Sequence, residues 1–396
     1  MDSHRPMTQT GRVQALFDWL VDGCPGATTP MDVLARVGPD LRAADIPVDR
    51  LVAFVKTLHP HVAGRAFSWT PGNEVRVEEV PWVRTDVTAP SASPVRAVFE
   101  TGREIRVKVN GTEALPFADL TELRTQGFVD YCALPLRFMG GTIHCISLAT
   151  RAPSGFSPAQ LEVVRHVLRP LTRVAEVLAL MRTAVNLLNA YVGRDAGDRI
   201  LKGHVQRGDT ETIQCVIWFS DLRGFTSFSS EHSPGDIIRV LNQFFDCQVP
   251  AIERYGGQVL KFIGDGLLAI FPIGPARETA EVGADAIRAA EEAFTALAQL
   301  NATRARQAET PLQFGVALHV GEVAYGNIGG ANRLDFTAIG PAVNLASRIE
   351  GLTAALGKRL LLSEPLAYRL RVPVRPVGQH EVKGLSEPLR VFEPGE

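Results

Sequence analysis

Val259-Leu260-Lys261-Phe262-Ile263-Gly264-Asp265-Gly266-Leu267-Leu268-Ala269-Ile270-Phe271 decides how this chain is read. Two apolar runs of strand length flank a Gly-Asp-Gly turn, so the segment is expected to form a β-hairpin with a carboxylate at its tip. Upstream, Cys215-Val216-Ile217-Trp218-Phe219-Ser220 is another apolar run that stops on an acid, Asp221. Each aspartate taken alone reads first as a turn cap. Two of them on adjacent strand ends can jointly hold divalent cations, which prefer oxygen ligands and often pair at phosphoryl-transfer sites.

Around that hairpin the apolar pattern predicts strand (215–220), helix (234–255), the hairpin strands (258–263 and 267–271), helix (278–307), strands (314–323 and 333–339) and helix (341–355). Helices returning between strands, with an antiparallel hairpin in the middle, point to an α+β fold, a ferredoxin-like (palm-type) α/β sandwich over 212–396. Further short strands are expected near Leu360, Val377 and Val391.

Upstream, residues 1–155 read as a separate α+β domain. Amphipathic helices are expected at 11–22 and 31–44, then strands at 51–58 and 66–70. A second hairpin, 129–138 with 142–149, turns through Met139-Gly140-Gly141. The stretch 73–123, rich in Pro, Thr and charge, gives no placeable elements. Between the domains, 156–211 opens with a capping box, Ser157 with Gln160, and continues as a long helix. Val164, Val167, Leu171, Val174, Leu178, Met181, Val185, Leu188 and Val192 alternate at three and four residues. That is a heptad seam, expected to form a two-stranded coiled coil with a second copy, unless the helix packs on its own domain. Pro170 is expected to kink it.

At 396 residues two domains are expected, since single cores rarely exceed roughly 250–300 residues. A net charge of −2 gives no basic field for nucleic acid, and no run approaches the ~20 apolar residues of a membrane span. Five scattered cysteines form neither a disulfide framework nor a zinc site. With no secretory leader in MDSHRPMTQTGR, a cytoplasmic setting is expected. His144 and Cys145 alternate on a strand and read as ordinary strand residues.

Two further motifs carry chemistry. Asp221 opens a polar loop, Asp-Leu-Arg-Gly-Phe-Thr, whose backbone amides near Gly224, Phe225 and Thr226 suit an anion. On the helix at 341–355, Asn344 and Arg348 are spaced i, i+4 and so share one face. An amide and a guanidinium suit a ribose oxygen and a phosphoryl group.

These segments together resemble the catalytic domain of the class III adenylate/guanylate cyclases. FSDLRGFTSFS, GGQVLKFIGDGLLAIFP, ALHVGEVAYGNIGG, RLDFTAIGPAVNLASRIEGL and EVKGLSEPLRVFE occur in family order over residues 212–393. The resemblance implies catalysis in a head-to-tail dimer with two shared sites. It gives Asp221 and Asp265, with the carbonyl of Leu222 nearby, to two Mg2+ or Mn2+ ions. It gives Lys261 and Thr337 to the purine, Asn344 to the ribose, Arg348 to the transition-state phosphoryl group, and Lys383 to the triphosphate. The substrate is then ATP, because Lys261 can donate to adenine N1 whereas guanine-type members carry Glu and a small residue such as Cys. Asp335 is the alternative purine contact. Residues 186–211 match the family's run-in helix, and 1–155 loosely resemble a GAF-type sensor, for an unidentified small-molecule or protein ligand. The competing readings are a guanylate cyclase and a catalytically silent dimeric sensor.

Overall fold

The structure, a computed structural model, describes residues 8–57, 62–81, 93–382 and 387–395. By internal contacts the chain forms two compact units, divided between Leu187 and Leu188.

In the first unit, α1 (Gln9–Val21) and α2 (Pro30–Ala43) precede β1 (Arg50–Lys56), β2 (Val62–Trp69) and β3 (Arg76–Pro81). Then come α3 (Pro94–Thr101), β4 (Ile105–Lys108), α4 (Leu120–Thr125), β5 (Asp130–Arg137), β6 (Ile143–Thr150) and the long α5 (Pro158–Val192). The six strands make one antiparallel sheet in the order β3-β2-β1-β6-β5-β4. Alternation along the strands sends side chains to opposite faces. Leu51, Leu134, Ile146 and Leu148 pack under α1, α2 and α5, while Tyr131, Ala133, Cys145 and Ala149 pack under α3 and α4. The unplaced stretch 73–123 thus holds β3, α3, β4 and the start of α4. The last two are four and six residues long, too short to show a period.

Helix α5 begins as expected: Ser157 Oγ accepts from the Gln160 N–H at 3.2 Å, and Gln160 Oε1 accepts from the Ser157 N–H at 2.8 Å. It runs on through Pro170 as one helix. The start of the seam, however, belongs to the first unit's own core. Val164, Val167 and Leu171 are buried in it, with Val174 and Leu178 packed against it. Other apolar residues of the helix point outward, Val177 at 56% exposed and Leu180 and Met181 both at 63%. The first half of the expected coil is therefore occupied within the chain.

The second unit comprises α6 (Arg194–Leu201), β7 (Thr210–Leu222), α7 (Phe225–Glu231), α8 (Pro234–Arg254), β8 (Gln258–Ile263), β9 (Gly266–Pro272) and α9 (Thr279–Arg306). Next are β10 (Phe314–Gly330), β11 (Arg333–Ile339), α10 (Pro341–Ala355), β12 (Leu360–Ser363), α11 (Glu364–Ala367), β13 (Val374–His380) and β14 (Leu389–Pro394). The sheet runs β13-β14-β12-β10-β7-β9-β8, with β11 paired to β10. Strands β7, β8, β9 and β10, with α8 and α9 between them, therefore form a β-α-β-β-α-β unit in the ferredoxin-like order. Trp218, Phe244, Phe271 and Phe314 fill the core between this sheet and helices α8 and α9. Burying each large apolar side chain is worth about 1.5–3 kcal/mol, enough to hold the strand ends in fixed register. Strand β10 runs seven residues past the expected end at 323, because it pairs with β11 over Ala324 to Gly330.

Candidate active site

Asp221 lies at the end of the central strand β7, paired to Gly266 of β9 on one side and Gly315 of β10 on the other. Both neighbours are glycines, and Gly315 has to be one because α10 packs directly against it. A Cβ at Gly266 would lie 3.5 Å from Asp221 Oδ1, and one at Gly315 would strike Thr353 Oγ1 at 1.9 Å and Glu350 Oε1 at 2.9 Å. Asp265 is carried to the same spot by the hairpin, whose Gly264 adopts φ +62°, a conformation that glycine accepts without strain. The Leu222 N–H donates to the Asp265 carbonyl at 3.3 Å, fastening the tip to the end of β7.

The two carboxyls are within hydrogen-bond reach. Burial, then the Asp265 charge, pushes the Asp221 carboxyl up to about 6. Like charges this close are relieved by a proton or by a hard cation, and an oxygen-only donor set suits Mg2+ or Mn2+. The residues fit the ions that the sequence implies. Leu222, whose carbonyl belongs to the expected set, is buried beside them.

A third acid escaped the sequence reading. Glu350 of α10 is 9% exposed, hydrogen-bonded to Thr353 at 3.2 Å, and pushed up to about 7 by burial and then by Asp221. The signal was available: Ala342, Ala346, Ile349, Glu350 and Thr353 form the buried stripe of that helix, and a carboxyl does not belong there without a task. Both raised carboxyls titrate above their unfolded values of about 4. Their protonated forms stabilise the fold fully below about pH 4, and this contribution is lost as pH rises through about 6 and then 7. The melting temperature of metal-free protein should therefore fall between about pH 5.5 and pH 8, and Mn2+ should restore part of the loss. Differential scanning fluorimetry checks this. A flat profile, or one that the Asp221→Asn, Glu350→Gln double variant leaves unchanged, contradicts it.

Lys261 of β8 and Asp335 of β11 form an ion pair. Thr337, two residues on, is 3% exposed, and its Oγ1 has no hydrogen-bond partner among the described residues. An unmet buried hydroxyl costs about 1–3 kcal/mol, so a ligand that satisfies it gains affinity. Lys261, Thr337 and the alternative Asp335 thus come together at one place. Asp335 is bound to Lys261 rather than standing apart from it.

Asn344 and Arg348 lie elsewhere. At about 100° per residue both project from the face of α10 opposite its buried stripe, away from the sheet and from Asp221. Asn344 is exposed and Arg348 half-buried. Gly224, at φ +73°, begins the short α7, with Phe225 half-buried and Thr226 exposed. Lys383 lies outside the described residues.

Residues 209–392 match the family model described as the adenylate and guanylate cyclase catalytic domain. An adenylate cyclase of Anabaena cylindrica is 34% identical over 200 residues, covering 48% of this chain and 38% of the relative. Adenylate cyclase 1 of Rhizobium meliloti is 32% identical over 233 residues, 56% of this chain and 34% of the relative. The chain thus spans little more than a third of the length of these curated relatives. Among solved structures, the adenylyl cyclase CyaB from P. aeruginosa is 27% identical, with a TM-score of 0.43, covering 47% of this chain and 96% of that one. A guanylyl cyclase structure is 29% identical with a TM-score of 0.41.

Proposed function

Since residues 209–392 belong to the adenylate and guanylate cyclase catalytic-domain family, we propose that this protein is an adenylate cyclase, converting ATP to 3′,5′-cyclic AMP and pyrophosphate at sites shared between two copies of the chain. One observation carries the reading. Asp221 and Asp265 meet at one end of the sheet, while Asn344 and Arg348 project from the outer face of α10. A single chain keeps the two sets apart, so a complete site takes the acids from one protomer and the Asn344–Arg348 face from its partner. Surface on this unit suits such pairing: Phe262, Ile263, Leu334 and Ile339 are apolar and exposed.

Asp221 and Asp265 would hold the divalent cations, with the Leu222 carbonyl beside them. Once bound there, the cations supply Lewis-acid polarisation of the sugar hydroxyl and neutralise triphosphate charge. The rest falls to the chain. Amides at Gly224, Phe225 and Thr226 face the phosphates, joined by Lys383. Asn344 orients the ribose so that O3′ lies in line with the α-phosphorus. O3′ attacks, the bond from the α-phosphorus to the bridging oxygen breaks, and pyrophosphate leaves with the electron pair. Arg348 stabilises charge on the equatorial oxygens. The proton released from O3′ passes to water or to substrate. No protein nucleophile is required.

Lys261 would donate to adenine N1, and the unsatisfied Thr337 hydroxyl would accept from the 6-amino group. Asp335 holds the lysine in place until the base arrives. The assay is product formation from ATP and from GTP in separate tubes with Mn2+ or Mg2+. ATP should be preferred by at least about 10-fold in kcat/KM, roughly the worth of one well-made hydrogen bond. The double variant Lys261→Glu, Thr337→Cys should lose most ATP activity and gain GTP activity. Equal use of the two nucleotides by the unaltered protein would favour the guanylate reading, and no product from either would favour a silent sensor.

The first unit, with its antiparallel sheet covered by helices on both faces, is read as a GAF-like sensor that controls this chemistry through α5. The exposed end of the helix, from Leu180 onward, is the part available to a coil with a second copy.

A further inference from the structure

Within the first unit the described residues leave part of the sheet uncovered. A cavity of about 860 Å³ lies between it and helices α3 and α4, lined also by Ala179, Leu180 and Thr183 of α5, and is large enough for a small organic molecule. Its cause is legible in the strands. Arg50 of β1, Ala149 of β6 and Tyr131 of β5 stand in one cross-strand row, and Val52 stands beside Ser147 in the next. Small side chains at Ser147 and Ala149 leave a trough between larger neighbours. Phe54 and Phe99 extend its apolar wall.

Most of the charged groups on this wall are engaged by neighbours or exposed to solvent. Arg65 is paired with Glu79 and Arg96 with Glu100, and the Lys56 ammonium sits 4.4 Å from the Phe99 ring centroid. Asp119 and Glu122 also line the cavity but are solvent-exposed. Arg50 is different: it is half-buried, faces Tyr131, and has no hydrogen-bond or ion-pair partner among the described residues. At the far end of the cavity His144 is 4% exposed, and its Nδ1 accepts from the Lys56 N–H at 3.0 Å. Burial, then the Lys56 charge, pushes it down to about 4, so the ring is neutral and carries its proton on Nε2. That donor, too, has no partner among the described residues.

We propose that this cavity binds an elongated, mostly apolar molecule with a single anionic group, the anion held by Arg50 beside Tyr131 and Ser147 and the apolar body lying over Ala149, Val52 and Phe54. An unpaired guanidinium at the edge of an apolar trough is stabilised by a carboxylate, and apolar surface drives the remainder of the ligand in. This site lies in the first unit and stands whether or not the second unit is a cyclase.

The test uses the full chain and two ten-carbon probes, decanoate and decan-1-ol, by isothermal titration calorimetry below their aggregation limits. Decanoate should bind at a single saturable site, at least about tenfold more tightly than decan-1-ol. Arg50→Met should weaken decanoate about tenfold (~1.4 kcal/mol) and leave decan-1-ol unchanged. Ala149→Phe, which fills the trough, should abolish both while far-UV circular dichroism stays native. If Ala149→Phe misfolds, the Arg50→Met comparison decides alone. The absence of saturable decanoate binding, or equal decanoate affinity in the unaltered and Arg50→Met proteins, overturns the proposal.

Discussion

Replacing Asp221 with Asn should lower cyclic nucleotide formation by at least about 1,000-fold, roughly 4 kcal/mol of transition-state stabilisation, and at the same time raise the melting temperature of the metal-free protein near pH 8. The two effects have one origin. A carboxyl pushed up to about 6 by burial and by Asp265 is a charge that the empty fold holds at a cost. Asparagine keeps the shape, removes the repulsion and cannot bind a divalent cation as a carboxylate does. With solvent screening at a half-exposed site, the gain should be about 1 kcal/mol, a few degrees in a domain of this size. The stabilisation that Mn2+ gives to the unaltered protein should disappear in the same variant. Activity within about tenfold of the original, or a lower melting temperature, would mean that Asp221 is a structural cap.

The second large effect is complementation. Asp265→Ala and Asn344→Ala should each be nearly inactive, the first for want of a cation ligand and the second because the sugar is no longer aligned. In a shared-site dimer the mixed pair has one doubly damaged site and one intact site, since the intact acids of one chain meet the intact Asn344 of the other. Random pairing makes half of the dimers mixed, each with one working site of two. Co-expressed variants should therefore recover up to about a quarter of the original activity. Recovery requires that the acids and Asn344 of one site come from different chains. If each site were built within a single chain, co-expression would restore nothing.

Much of this was legible in the sequence, for identifiable reasons. The hairpin at 259–271 and the run ending on Asp221 are strongly apolar strands broken by unambiguous turn residues, so both aspartates were placed correctly at strand ends. The ferredoxin-like order followed from the alternation of strands and helices. Glu350 stands as a lone acid in a mostly apolar helix stripe, a signal whose meaning becomes plain only once the strand beneath it is known to end in Asp221. The seam of α5 misled because a heptad pattern states only that a face is apolar, not whose core it enters. Val164, Val167 and Leu171 enter the first unit's own core. In 73–123 the elements are too short for periodicity, and tertiary contacts such as Leu120 and Leu123 on the sheet define them instead.

The most direct measurement counts cations. Mn2+ titrated into the full-length chain with 3′-deoxy-ATP, which lacks the attacking hydroxyl, can be followed by electron paramagnetic resonance of the free ion. Two ions per nucleotide site are predicted for the unaltered protein, and binding should collapse to the weak level of nucleotide alone in Asp221→Asn and Asp265→Ala. Identical Mn2+ binding by all three proteins would contradict the account, because the acids would then play no part in holding the ions.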